Sequence, residues 1–135
     1  MDGVILTPMK QIHHPKGNVF HAMKKSDLGY NGFGEAYFST IHKGDIKGWK
    51  KHTEMTLNLL VPFGEIKFVI YNQKTKDFLT VNLSTNNYQR LTIGPGCWLA
   101  FQGMSEFNIL LNLANIEHDS NEAFNIDINE IKYDW

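Results

Sequence analysis

The clearest pattern along the chain is an alternation of apolar and polar residues in short segments. In segment 65–71, Ile66, Phe68 and Ile70 fall on one face of an extended chain, and Glu65 and Lys67 fall on the other. Successive side chains of a β-strand point to opposite faces of its sheet. The segment therefore predicts a strand with one face buried in the core.

Similar segments recur at short intervals, separated by turns rich in Gly, Pro and Asn. Strand character is found at 35–41, 46–49, 56–61, 78–83, 88–93, 97–102 and 107–115. The turn residues Pro62-Phe63-Gly64 predict a hairpin that joins segment 56–61 to segment 65–71. No segment predicts a long helix. Many short strands separated by regular turns predict an all-β sandwich or barrel.

Composition indicates a folded protein that functions away from membranes and nucleic acids. The 135 residues are 42% hydrophobic and 20% charged, and the expected organisation is a single domain over 1–135. No apolar run approaches the ~20 residues that span a bilayer, and the N-terminus has no export signal. A net charge of −1 provides no basic field for nucleic acid. The single cysteine, Cys97, cannot form an internal disulfide, so we expect a cytoplasmic protein.

Four short motifs occur in an order that resembles one enzyme family. They are Pro-Lys-Gly at 15–17, Lys-Gly-Trp-Lys-Lys-His at 47–52, Ile-Gly-Pro-Gly-Cys-Trp at 93–98 and Tyr-Asp-Trp at 133–135. From about residue 16 to residue 135, the chain resembles the dTDP-4-dehydrorhamnose 3,5-epimerases, cupins of nucleotide-sugar metabolism. The resemblance implies a jelly-roll cupin domain, with 1–15 as an N-terminal extension that reaches the partner in a homodimer.

The resemblance also suggests which residues form the site. The family has the motif Arg-Gly-x-His-x-Gln, in which the arginine contacts phosphate and the histidine removes a proton from the sugar. In this chain Lys47 matches that arginine, Lys50 the histidine and His52 the glutamine. Lys16 matches a second, diphosphate-binding arginine near the N-terminus. Lysine keeps the positive charge but lacks the planar fork of arginine.

His52 and Lys50 are the candidate catalytic residues, because the chemistry of the other matched positions is lost. Asn112 stands where the family has the tyrosine that acts as the acid. The position of the family's enolate-stabilising lysine falls near Leu57 or Asn58. Asp127 matches the aspartate that orients the family's histidine. A structural, hydrogen-bonded role for His52 remains an alternative.

The candidate substrate-binding residues combine positive charge, amide groups and an aromatic ring. They are Lys16, Lys47, Asn58, Lys67, Tyr71 and Asn112. The lysines would contact a diphosphate, and Tyr71 would stack on a base or sugar ring. Solvated strand lysines and a core aromatic residue are the competing interpretations.

The sequence predicts neither a metal nor another cofactor. Metal-binding cupins use several histidines and an acid, but at those places this chain has Lys50, His52, Thr56 or Leu57, and Leu99. One ligand does not make a metal site.

The residues and the resemblance are compatible with two functions. One is a metal-independent epimerase or isomerase of a nucleotide-linked 4-keto-6-deoxy sugar, within surface polysaccharide or lipopolysaccharide synthesis. The other is a non-catalytic cupin that binds a sugar nucleotide or a related carbohydrate.

Overall fold

The fold consists of twelve β-strands and two short 3₁₀ turns. The computed structural model describes all 135 residues. The strands are β1 (Val4–Pro8), β2 (Gln11–Ile12), β3 (Val19–Phe20), β4 (Glu35–His42), β5 (Ile46–His52), β6 (Leu57–Phe63), β7 (Glu65–Asn72), β8 (Asp77–Ser84), β9 (Gln89–Ile93), β10 (Trp98–Gly103), β11 (Phe107–Ala114) and β12 (Ala123–Asn125). The 3₁₀ turns are Ser120–Glu122 and Ile128–Glu130.

Ten of these strands form two five-stranded antiparallel sheets. Sheet I has the order β1-β9-β6-β11-β4, and sheet II has the order β12-β5-β10-β7-β8. The two sheets contribute side chains to one shared apolar core, which includes Leu59 from sheet I and Phe68 and Leu99 from sheet II. Strands β2 and β3 form a small separate hairpin. The predicted all-β sandwich is confirmed.

The predicted hairpin between segments 56–61 and 65–71 is wrong. Strand β6 belongs to sheet I and β7 to sheet II, so the turn at 62–64 carries the chain from one sheet to the other. Gly64 has φ +79°, and the backbone N–H of Glu65 donates to Asn108 Oδ1 at 2.9 Å. The turn is thus held by a side chain from β11, a long-range contact that local turn chemistry does not reveal.

The inner face of β7 agrees with the predicted alternation, because Ile66, Phe68 and Ile70 are fully buried in the core. Its outer face is partly covered by the C-terminal segment, residues 126–135. Ile126, Ile131 and Trp135 of that segment pack on a second apolar cluster made of Trp49, Val69, Trp98 and Ala100. Sheet II is therefore covered on both faces. No helix in the structure is long and apolar enough to cross a membrane.

The N-terminal third of the chain wraps the outside of sheet I. Strand β1 pairs with β9 of the same chain. The guanidinium of Arg90 is fully buried and donates to the carbonyl oxygens of Ala22 and Leu28 at 3.0 and 2.7 Å. It also pairs with Asp27 at 3.1 Å. A strand residue thereby fixes the loop of residues 21–34 against sheet I.

Candidate active site

A pocket of about 350 Å³ opens between the two sheets and is lined by both polar and hydrophobic residues. Sheet I provides residues of β4, β6 and β11, and sheet II provides residues of β5, β10 and β12. The lining residues are Tyr37, Ser39, Lys47, Gly48, Trp49, Lys50, His52, Leu57, Leu59, Leu99, Phe101, Leu110, Asn112 and Asn125. Half of them are hydrophobic, so the few polar groups act in a partly dry space.

A buried histidine–carboxylate pair is the main feature of the sheet II wall. His52 is 8% exposed and Glu122 is 3% exposed, and His52 Nδ1 is hydrogen-bonded to Glu122 Oε1. The other carboxylate oxygen, Oε2, accepts the backbone N–H groups of Thr53, Glu54 and Met55 at 3.1–3.2 Å. Every polar atom of the carboxylate is thus occupied, which makes its burial tolerable.

These contacts fix the protonation pattern of the pair. Burial raises the pKa of the Glu122 carboxyl, but the hydrogen bonds from His52 and from the backbone N–H groups outweigh it and leave the pKa below its usual value. An ionised Glu122 can only accept, so His52 Nδ1 must donate. No protein atom is hydrogen-bonded to His52 Nε2. In the neutral imidazole the lone pair then lies on Nε2, which can accept a proton from a ligand in the pocket.

Strand pairing brings the two residues of the pair together. Strand β12 pairs with β5, with Ala123 opposite His52 and Asn125 opposite Lys50. Glu122 immediately precedes β12 and ends the 3₁₀ turn that Asp119 caps through its side chain. The pairing thus places a residue 70 positions away in the chain beside His52.

Gly48 allows β5 to lie close to β10 at the pocket. Its φ is +147°, and a Cβ at this position would overlap Ala100. The register between β5 and β10 shifts at this point, between Leu99 and Ala100. Glycine is required here for the path of the strand, and the neighbouring Lys47 and Lys50 reach the pocket as a result.

Four of the predicted site residues line the pocket. Lys50 and His52 lie on the sheet II wall, together with Lys47, whose Nζ donates to the Thr40 carbonyl oxygen at 2.7 Å. Asn112 lies on the sheet I wall. Its Oδ1 accepts the Asn58 backbone N–H at 3.2 Å, and its Nδ2 donates to Tyr37 Oη at 3.0 Å.

The other four predicted residues lie elsewhere. The Asn58 side chain is buried away from the pocket, where Nδ2 donates to the Gly29 carbonyl oxygen and Oδ1 accepts from Thr92 Oγ1. Lys16 lies in the exposed turn between β2 and β3. Its backbone N–H donates to His14 Nδ1 at 3.0 Å.

Lys67 and Tyr71 lie on the outer face of sheet II. Lys67 Nζ is 5.0 Å from the Tyr133 ring centroid and 5.6 Å from that of Trp135, and the Tyr71 ring packs on Phe78 at 4.7 Å. Both residues contribute to the packing around the C-terminal segment and do not line the pocket.

Two residues of the pocket region were not singled out from the sequence. Glu122 lies in a stretch without strand periodicity. The role that the resemblance gave to Asp127 falls to Glu122, because Asp127 Oδ1 instead caps the second 3₁₀ turn through the Asn129 N–H. Tyr37 looked like one more strand aromatic. Its position opposite β5 depends on pairing that a single sequence does not reveal.

The donor set around the pocket does not favour a metal. Nowhere do three or more His, Cys, Asp or Glu side chains come together in a group that could hold an ion. Glu122, the acid beside His52, is already saturated by hydrogen bonds, and Lys50 on the same wall is a cation.

The fold is similar to that of cupins among the nucleotide-sugar epimerases and isomerases. A dTDP sugar isomerase from Desulfovibrio desulfuricans is 29% identical, with 99% of this chain and 91% of that chain covered and a TM-score of 0.93. The predicted resemblance to the dTDP-4-dehydrorhamnose 3,5-epimerase family is confirmed.

Two further structures share the fold at lower identity. The sugar 3,4-ketoisomerase QdtA from Thermoanaerobacterium thermosaccharolyticum, in complex with TDP, is 22% identical, with 92% and 88% of the two chains covered and a TM-score of 0.80. The 3,5-epimerase RmlC from Legionella pneumophila, in complex with dTDP-4-keto-L-rhamnose, is 18% identical, with 100% and 79% covered and a TM-score of 0.86. No protein-family model and no curated protein sequence matches the chain.

Proposed function

We propose that this protein is a metal-independent epimerase or isomerase of a nucleotide-linked 4-keto-6-deoxy sugar. The buried His52–Glu122 pair at the pocket wall is the observation that carries the proposal. A histidine that is oriented by a carboxylate, with its second nitrogen facing a cavity, is suited to act as a general base. The similarity to a dTDP sugar isomerase supports the substrate class.

The reaction needs a base beside an acidified C–H bond. The keto group of the sugar acidifies the hydrogens on the adjacent carbons, and His52 Nε2 takes one of these protons. Glu122 stabilises the imidazolium that forms, because its carboxylate is ionised and accepts from Nδ1. Lys50 adds positive charge to the pocket, which favours the negative charge that develops on the sugar. Return of the proton to the opposite face of the same carbon gives an epimer. Transfer of the proton to the carbon that carried the keto group gives an isomer, because the neighbouring hydroxyl group then loses its proton and becomes the new carbonyl.

The pocket suits a deoxy sugar in size and polarity. Its volume of about 350 Å³ lies at the lower end of the range for small-molecule sites, which run from about 300 to 1,000 Å³. Leu59, Leu99 and Phe101 supply an apolar lining that fits a methyl group better than a hydroxyl group. The nucleotide would extend through the opening towards solvent.

The diphosphate would be held by lysines at this opening. Lys47 lies there and donates one of its three ammonium hydrogens to Thr40, which leaves two for phosphate oxygens. We assign Lys16 to the partner's site in a homodimer, since it lies in an exposed turn of its own subunit and does not line its own pocket.

Exposed apolar residues on sheet I support the dimer. Phe38, Phe63 and Phe107 are each more than half exposed, and Phe63 and Phe107 contact each other at 5.8 Å between ring centroids. Sedimentation should give twice the chain mass of 15.5 kDa. A monomer at micromolar concentration would remove Lys16 from the site.

The cellular setting follows from the substrate class. We place the reaction in surface polysaccharide synthesis, lipopolysaccharide included, and in the cytoplasm. The single cysteine, Cys97, is buried and unpaired, which suits a reducing compartment.

The proposal is tested by looking for a new sugar. The protein is incubated with dTDP-4-keto-6-deoxyglucose and, separately, with its GDP-linked counterpart. The products are separated by ion-exchange chromatography and identified by NMR. We expect conversion of at least one sugar by the parent protein and none above background by His52→Asn. Tight binding of both nucleotide sugars without conversion would instead support the non-catalytic cupin.

A further inference from the structure

A chain of hydrogen bonds runs through the sheet I wall and ends at a hydroxyl group in the pocket. The backbone N–H of Asn58 donates to Asn112 Oδ1 at 3.2 Å, and Asn112 Nδ2 donates to Tyr37 Oη at 3.0 Å. Asn112 is 1% exposed, whereas Tyr37 lies on the edge strand β4 and is 45% exposed. The chain thus leads from the buried interior of the sheet to the pocket.

The direction of each hydrogen bond in this chain is fixed by chemistry. A backbone N–H can only donate, so the Asn112 atom that faces it must be the oxygen. The amide NH₂ group of Asn112 must therefore face Tyr37 and donate to its hydroxyl oxygen. The Tyr37 hydroxyl group has no other hydrogen bond to the protein, so its O–H hydrogen is free to point into the pocket.

We propose that Asn112 is a positioning residue that holds Tyr37 as the proton donor to the keto oxygen of the substrate. This inference rests on the proposed function and deepens it. His52 and Tyr37 belong to facing sheets, so the two groups approach a bound sugar from opposite walls. One wall removes the proton from carbon, and the other supplies a proton to oxygen.

The step balances within the pocket. His52 Nε2 takes the proton as the C–H bond breaks, and the electron pair of that bond forms a C=C bond. The electron pair of the C=O π bond moves to oxygen, which takes the Tyr37 proton and leaves a phenolate. The hydrogen bond from Asn112 Nδ2 stabilises the negative charge on that phenolate. In an isomerisation, His52 Nε2 then gives its proton to the carbon that carried the keto group, and the Tyr37 phenolate takes the proton of the neighbouring hydroxyl group, which becomes the new carbonyl. Both side chains are thereby restored.

Asn112→Asp tests the role of the amide while its shape is kept. One carboxylate oxygen still accepts from Asn58, but the other would accept the Tyr37 O–H and turn its hydrogen away from the pocket. We expect kcat for dTDP-4-keto-6-deoxyglucose to fall about 10–100-fold, with KM within about twofold of the parent value. Asn115→Asp is the matched control, since Asn115 Oδ1 only accepts the Thr56 backbone N–H, at 2.7 Å. The control should keep the parent kcat.

A double variant separates positioning from a merely structural role. If Asn112 acts through Tyr37, then Tyr37→Phe combined with Asn112→Asp loses no more activity than Tyr37→Phe alone. If Asn112→Asp does not fold, Asn112→Ser serves instead, because it interrupts the series of hydrogen bonds at the same residue without adding a carboxylate.

The outcomes distinguish this inference from the proposed function. Full activity of the Asn112 variant, or a double variant that loses the product of the two single losses, would overturn the role of Asn112 and leave the proposed function standing. A parent protein that converts neither sugar would overturn both.

Discussion

The two faces of β5 differ in what they do, although their residues are neighbours in the chain. His52 faces the pocket and has a nitrogen free for a ligand. The side chain of Trp49, three residues earlier, is fully buried in the outer cluster and donates from Nε1 to the Ile128 carbonyl oxygen at 3.1 Å. The inner face carries the candidate chemistry, and the outer face attaches the C-terminal segment.

The comparison shows why the two faces depend on each other. The Trp49 backbone exchanges hydrogen bonds with Ile126 in both directions, at 3.2 and 3.1 Å. Ile126 directly follows β12, and Glu122 directly precedes β12. The contacts of the outer face therefore help to hold in place the carboxylate that orients His52. Substitutions on the inner face should change activity, whereas those on the outer face should change stability first.

The largest effect is expected for Glu122→Gln. The three backbone N–H groups require an oxygen, so the amide NH₂ of glutamine would face His52 Nδ1 and donate to it. His52 would then carry its hydrogen on Nε2 and could not act as a base. We expect kcat to fall about 10²–10⁴-fold, as measured by product formation.

Glu54→Gln is the matched control, because the Glu54 side chain is exposed next to the pair. It should keep the parent kcat. Unchanged activity in Glu122→Gln would show that the carboxylate does not set the tautomer of His52.

A smaller effect is expected for Lys47→Ala at the pocket opening. Loss of one charge-assisted contact should weaken binding of dTDP by about 1.5–3 kcal/mol, or roughly ten- to a hundred-fold, in calorimetric titration. Lys47→Arg should keep most of the affinity because the charge is retained. Lys74→Ala, in the exposed loop after β7, is the control. Equal affinity of both alanine variants for dTDP would show that Lys47 is a solvated surface charge and does not contact the diphosphate.

On the outer face, Trp49→Phe should reduce stability more than activity, since the Trp49 side chain packs in the outer cluster. The variant leaves the Ile128 carbonyl oxygen without its donor and opens space in a packed cluster. We expect the free energy of unfolding to fall by about 1–3 kcal/mol in urea. Lys67→Ala removes only the cation–π contacts to Tyr133 and Trp135 and should cost about 0.5–1 kcal/mol. A kcat loss in Trp49→Phe as large as that of Glu122→Gln would erase the distinction between the two faces.

The pH dependence of stability should show the contribution of Glu122. Its pKa is lower in the folded protein than its usual value of 4.5, so the ionised form stabilises the fold. This stabilisation is complete above pH 4.5 and is lost as the pH falls through the folded-state pKa. Urea unfolding at several acidic pH values should show a steeper loss for the parent than for Glu122→Gln. Parallel curves would contradict the assignment.

Local patterns predicted the strands well but not their partners. The alternation in 65–71 gave the correct buried face of β7. Alternate residues of a strand share one face, so burial of that face places Ile66, Phe68 and Ile70 in the core together. The hairpin at 62–64 was wrong because Asn108, 44 residues after Gly64, holds the turn that separates the two sheets.

The candidate site was predictable only in part for the same reason. Lys47, Lys50 and His52 lie together on one strand and could be selected from one motif. Tyr37 reaches the pocket through the pairing of β4 with β11, and Glu122 reaches His52 through the pairing of β12 with β5. A single sequence specifies neither pairing. Lys67 and Tyr71 have the right residue types, but their strand turns them to the outer face.

The central claim is that His52 moves a proton at the carbon next to the keto group. The most direct measurement is NMR of dTDP-4-keto-6-deoxyglucose incubated in deuterated water with the parent, His52→Asn or Lys67→Ala. We predict that the parent and Lys67→Ala incorporate deuterium beside the keto group, and that His52→Asn does so about 10²–10⁴-fold more slowly while still binding dTDP. Equal incorporation by the parent and His52→Asn would contradict the account.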